Sequence, residues 1–209
     1  MTKFIPGKQL GIVLDGRRGS SDVSLEVYVD FLCPFSKRCF ARLRDEVKPH
    51  YGPKLEIIIM PFPQPWHPSS AMVHEAFHAA CMVAPDQAET LLSETMEFGL
   101  EYFNDVDSME KSRKQVHEEC AGLYAACGIQ KDRFLEYLSL PPEHQRDNKN
   151  PGVPATRILK FYTKAARQVS IHVSPTTRIN GVTVDTSSGW SLDEWKEFLD
   201  PILNTTNNV

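Results

Sequence analysis

Leu25-Glu26-Val27-Tyr28-Val29-Asp30-Phe31-Leu32-Cys33-Pro34-Phe35-Ser36-Lys37 is the stretch whose reading decides the fold. Its first eight residues are rich in β-branched and aromatic side chains and predict a buried strand that ends at Leu32. Pro34 then falls at the first position of a helix, where its missing N–H does no harm. Cys33 stands where the strand ends and the helix begins. Unpaired backbone N–H groups and the positive end of the helix dipole gather there and favour a thiolate over a thiol. The thiolate is the nucleophilic form, so Cys33 is the candidate catalytic residue.

Working outward, residues 34–47 predict a helix with Phe35, Phe40, Leu43 and Val47 at near-helical spacing, stopped by Pro49 and Gly52-Pro53. Residues 54–61 are a second buried strand, which makes a parallel strand–helix–strand unit. Residues 9–14 are a first strand closed by the turn at Asp15-Gly16. After the proline-rich Pro61-Phe62-Pro63-Gln64-Pro65-Trp66-His67-Pro68 the pattern turns wholly helical. Helices are expected from Ser69 or Ser70 to 82, from Pro85 to 103, from a capping pair at Asp107 and Glu110 to Gly128, and over 131–138. Residues 141–154 read as a loop and 155–169 as a helix. Residues 171–179 lead into Asn180-Gly181, a hairpin turn signal, and 182–185 return. Ser191 with Glu194 is a capping box that opens a last helix over 192–203.

The bulk properties narrow the possibilities. With 209 residues, 41% hydrophobic and 24% charged, the chain suits one sizeable domain with an insertion. A net charge of -4 argues against a nucleic-acid partner. No apolar run is long enough to cross a membrane, and the first residues carry no secretion signal, so the expectation is a cytoplasmic protein. Cys33, Cys39, Cys81, Cys120 and Cys127 are odd in number and irregular in spacing, which argues against a disulfide scaffold and against a metal site.

Three segments taken in order carry a family resemblance: Asp30-Phe31-Leu32-Cys33-Pro34-Phe35-Ser36, then Pro61-Phe62 with His67-Pro68, then Val173-Ser174-Pro175-Thr176 with Asn180-Gly181. Over about residues 22–203 they resemble the α/β thioredoxin fold, and the helical stretch makes the chain similar to its DsbA-like branch. The resemblance implies a thioredoxin-like domain formed by residues 1–68 and 151–209, with an all-helical insertion over 69–150. It implies thiol–disulfide exchange on a small thiol or on a protein or peptide disulfide. Cys33 would attack substrate sulfur, with Pro34 and Phe35 beside it on the substrate side. Pro175 would follow a cis peptide bond and face the thiol, leaving the backbone of Val173 and Ser174 to pair with a visiting chain.

The chain departs from the dithiol pattern at Ser36. A serine cannot release a mixed disulfide by a second thiol attack. It is expected instead to donate a hydrogen bond to the Cys33 sulfur. The resulting site is monothiol, with glutathione or another small thiol as co-substrate and no other cofactor. Kappa-type glutathione transferases are similar in fold but carry serine at the first motif position as well. Cys39, six positions on, lies about 600° and roughly 9 Å away along a helix, beyond the reach of a disulfide, so core packing accounts for it better. Cys81, Cys120 and Cys127 read as core residues. Asp30 is either a structural carboxylate, the favoured reading, or a proton acceptor for the thiol. His67 shapes the site entrance, or caps the next helix or packs on it, and His172 flanks the groove or lies on the surface. Trp66, Phe35 and Phe62 line an apolar substrate surface or the core. Three functions follow: a monothiol oxidoreductase, a redox-inactive binding module, or a glutathione-dependent transferase or isomerase.

Overall fold

The computed structural model describes residues 9–206 apart from Arg17 and Asp147. The first residues, read above for a secretion signal, lie outside that range. Five strands form one sheet in the order β1-β3-β2-β4-β5. β2 (Ser24–Val29) runs parallel to β3 (Glu56–Pro61), with Val27 opposite Ile59. The short β1 (Ile12–Val13) lies antiparallel on the outer side of β3. On the other side β4 (Thr176–Ile179) pairs antiparallel with β2, and β5 (Val182–Val184) closes the hairpin. This is the thioredoxin arrangement, with the helices of the insertion between β3 and the final hairpin.

The two central strands are largely buried, as their mainly apolar sequences require, with Ser24 and Glu26 of β2 half-buried. Leu25, Val27, Val29, Ile57 and Ile59 belong to the main core, together with Phe40 and Leu43 and with Trp195 and Leu199 of the last helix, α9 (Leu192–Thr206). Tyr28, Ile58 and Met60 meet Tyr162 and Ala166 of α8 (Pro154–Gln168) on the opposite face. At about 1.5–3 kcal/mol for each large aliphatic or aromatic side chain buried, these two layers dominate the stability of the sheet.

Two differences from the sequence reading have clear causes. β2 ends at Val29 and not at Leu32, because Asp30 accepts from the amide of Leu32 with its own side chain, 2.9 Å, and turns the chain. Proline 49 does not stop the first helix. α1 (Pro34–Arg42) continues through a widened π turn at Leu43–Val47 into α2 (Lys48–Tyr51). Lys48 bonds back to the Leu43 carbonyl, five residues away, so the Pro49 ring escapes the carbonyl it would meet in a regular helix.

The insertion consists of α3 (Ser70–Val83), α4 (Ala88–Phe103), α5 (Asp105–Ser108), α6 (Arg113–Ala125) and α7 (Lys131–Glu136). The expected capping pair at Asp107 and Glu110 is absent: Asn104 caps α5, and Ser112 with Gln115 forms the capping box of α6. The insertion is packed directly on the Cys33 loop. Phe31 stacks on His74 of α3, centroids 4.2 Å apart, and meets Phe77 edge-on at 5.0 Å. From α4, Gly99 approaches so closely that an added Cβ would stand 2.6 Å from the Phe31 carbonyl oxygen. Among the described residues no helix is long and apolar enough to cross a membrane.

Gly99→Ala is expected to destabilise the protein by about 1–3 kcal/mol, since the methyl group must displace backbone and not a flexible side chain. Urea unfolding measures this; a change under about 0.5 kcal/mol would contradict the packing described.

Candidate active site

Cys33 is the N-cap residue of α1, with Pro34 at the first helical position and no side-chain cap. Its amide bonds to the Asp30 carbonyl at 3.1 Å and its carbonyl accepts from Lys37 at 3.0 Å, so its backbone is fixed on both sides. The sulfur lies 3.4 Å from the carbonyl oxygen of Ser174. The Ser174–Pro175 peptide bond is cis. Cys33 and Pro175, 142 positions apart in sequence, thus share one site. The thiol is less open than its position at a strand–helix junction suggests: only 4% of Cys33 is exposed. The loop before β4 covers it, and only the protonated thiol can donate to the Ser174 carbonyl.

That loop is set by the end of α8. Ser170 adopts a left-handed φ of 59°, and the amide of Ile171 bonds back to Ala166 at 3.0 Å. The paired bonds of Ser170 and Ile171 terminate the helix and redirect the chain toward Pro175. Val173 is exposed. Its carbonyl accepts from Thr176 Oγ1 at 2.6 Å, and the Ser174 carbonyl takes the thiol, so these two carbonyls are not wholly free as the sequence reading expected. The amide N–H groups of Val173 and Ser174 have no partner among the described residues. Phe35 and Val173, close in sequence to the two residues that meet at the thiol, are each 53% exposed, as is Trp66 of the loop after β3, whereas Phe62 is core.

Ser36 does not serve the thiol in the expected way. It is fully buried, and its Oγ accepts from the Asp30 amide at 3.2 Å; no bond to the Cys33 sulfur is found among the described residues. α1 presents Ser36 to the sheet side, while Cys33 sits at its open end.

Asp30 has no exposed surface, and its carboxylate accepts four bonds. Oδ1 takes the Leu32 amide at 2.9 Å and the Ser70 hydroxyl at 2.7 Å. Oδ2 takes the Gln64 amide at 2.7 Å and His67 Nδ1 at 2.8 Å. This is a structural carboxylate: its acceptor capacity is filled, and none remains for a thiol proton. His67 therefore neither caps α3 with its ring nor stands free. His74 and His78 of α3 are buried, with no partner on Nε2 among the described residues, and burial lowers both, His78 to about 3.

The other cysteines are not brought to the site. Cys39 is pushed up to about 12 by burial, and burial also raises Cys120 and Cys127. None of the five cysteines forms a disulfide. No group of three or more metal-binding side chains occurs among the described residues. The residues that sequence reasoning missed are Ser70 and Gln64, whose bonds to Asp30 cross 40 and 34 positions, and Gly99. A serine at the start of a predicted helix was the only signal for any of them.

No family model and no curated protein sequence matches the chain. Solved structures do. A candidate protein-disulfide isomerase from Pseudomonas syringae superposes with a TM-score of 0.67 at 24% identity, covering 87% of this chain and 95% of its own. A thioredoxin-like oxidoreductase from Silicibacter pomeroyi gives 0.62 at 14%, covering 93% and 92%. The oxidoreductase DsbA from Xylella fastidiosa gives 0.58 at 17%, covering 90% and 87%. The fold is thus that of the DsbA-like thioredoxin proteins.

Asp30→Asn is expected to cost about 1–3 kcal/mol. Whichever way the amide turns, the Leu32 or the Gln64 backbone N–H loses its acceptor. Denaturant unfolding reads the loss; an unchanged midpoint would show that the carboxylate is not the tie between these segments.

Proposed function

We propose that the protein catalyses thiol–disulfide exchange through the single thiol of Cys33, with glutathione as the second substrate. The observation that carries this reading is the Cys33 sulfur at the N-terminal end of α1, against the Ser174–Pro175 loop, with serine one turn further on. Once deprotonated, the sulfur can no longer donate to the Ser174 carbonyl. The uncapped amides of Phe35 and Ser36, in the first turn of α1, are then the donors available to it. The thiolate attacks the glutathione sulfur of a mixed disulfide. The Cys33–glutathione bond forms, the original S–S bond breaks, and the released thiolate takes a proton. A second glutathione thiolate attacks the glutathione sulfur of the adduct, releases Cys33 and leaves as glutathione disulfide. One disulfide is reduced and one formed, so the electrons balance.

The free amide of Val173 supports the binding of an extended substrate segment, and the exposed Phe35, Trp66 and Val173 support its being apolar. Ser36 keeps the Asp30 turn in place. A second reading, a binding module without redox turnover, is favoured by the burial of the thiol beneath the Ser174 carbonyl.

Turnover of a glutathionylated peptide with glutathione separates the two. Wild type is expected to turn over, Cys33→Ser to lose at least about a hundredfold, and Ser36→Ala to stay within about tenfold of wild type. Equal turnover by wild type and Cys33→Ser would overturn the proposal, as would peptide binding by wild type with no turnover.

A further inference from the structure

α8 carries Arg157, Lys160, Lys164 and Arg167, all exposed, and no acidic residue between Pro154 and Gln168. Steps of three, four and three positions place the four cations within an arc of about 80° and along roughly 15 Å of one helix face. The chain as a whole is acidic, with a net charge of -4. The helix dipole explains a cation at Arg167, near the C-terminus, but opposes Arg157 and Lys160 in the first half of the helix. Arg157, Lys160 and Arg167 have no ion pair among the described residues. The pattern is therefore not one that stabilises the helix.

The stripe ends at a cavity. Arg167 lines a pocket of about 510 Å³ with His67, His172, Gln64, Phe62 and Ile171 among its walls, and no carboxylate side chain lines it. Cys33 itself does not line the pocket, but two of its walls are tied to the residues around the thiol. His172 stands two residues before Ser174, whose carbonyl lies 3.4 Å from the sulfur, and His67 is bonded to Asp30 at 2.8 Å.

We infer that this pocket is the co-substrate site and selects an anionic thiol. Arg167 and His172 meet the carboxylate, and the basic face of α8 steers the anion inward. This inference rests on the reading of Cys33 as an exchanging thiol and adds to it the residues that choose the partner.

The test compares adduct formation on Cys33 by glutathione disulfide, an anion, with that by neutral bis(2-hydroxyethyl) disulfide, both read by protein mass. The ratio of the two rates is expected to fall about tenfold or more in Arg167→Glu at low salt. In Arg157→Glu, at the far end of the stripe, it is expected to fall about threefold and to recover at about 1 M salt, where screening confines charges to a few ångströms. An unchanged ratio in both variants would overturn the inference. S-methylglutathione, which cannot exchange, tests the pocket independently. It is expected to bind Cys33→Ser and to bind at least about tenfold more weakly when Arg167→Glu is added. If neither disulfide reacts with wild type but this binding difference holds, the exchange reading fails and the pocket stands. If S-methylglutathione binding is absent or indifferent to Arg167→Glu, the pocket assignment fails.

Discussion

A carboxylate with no exposed surface, Asp30, holds together the three segments that meet at the thiol. It joins the turn after β2, the loop after β3 and the first turn of α3, through Leu32, Gln64, His67 and Ser70. Burying a charge costs several kcal/mol unless its hydration is replaced. Here four donors replace it, and the positive end of α3 adds a favourable field. Its own backbone takes part as well: the Asp30 amide is received by Ser36 and its carbonyl receives Cys33. The position of the sulfur is thus a consequence of where this one side chain finds its partners.

Much of the fold was legible because the signals were local. The mainly apolar runs of β2 and β3, Pro34 after Cys33, Asn180-Gly181 and the Ser191–Glu194 box each state a structure within a few residues. The strand reading of Phe31 and Leu32 went too far for a physical reason. Both are buried, but they anchor a turn against His74, Phe77 and Gly99 of the insertion. Hydrophobicity reports burial and not the conformation that achieves it. Pro49 misled in the same way: its effect depends on a π turn that no local pattern announces.

The site was legible in its residues and not in its bonds. Cys33 and Pro175 meet as the resemblance implies, because a β2–β4 pairing carries the second loop to the first. The partner of Ser36 was misassigned because one helical turn of spacing does not say which side of the helix faces the sulfur. The fourfold coordination of Asp30 depends on donors more than 30 positions away, which only the folded chain supplies.

The account comes down to the Cys33 sulfur, held at the start of α1 against the Ser174 carbonyl, while Cys39 and Cys120 are raised by burial in the core. Alkylation of the native protein with iodoacetamide at neutral pH, followed by peptide mapping, tests this most directly. The account expects Cys33 to be modified first and Cys39 and Cys120 to react only after denaturation. Modification of any other cysteine before Cys33, or a Cys33 that resists until the protein unfolds, would contradict it.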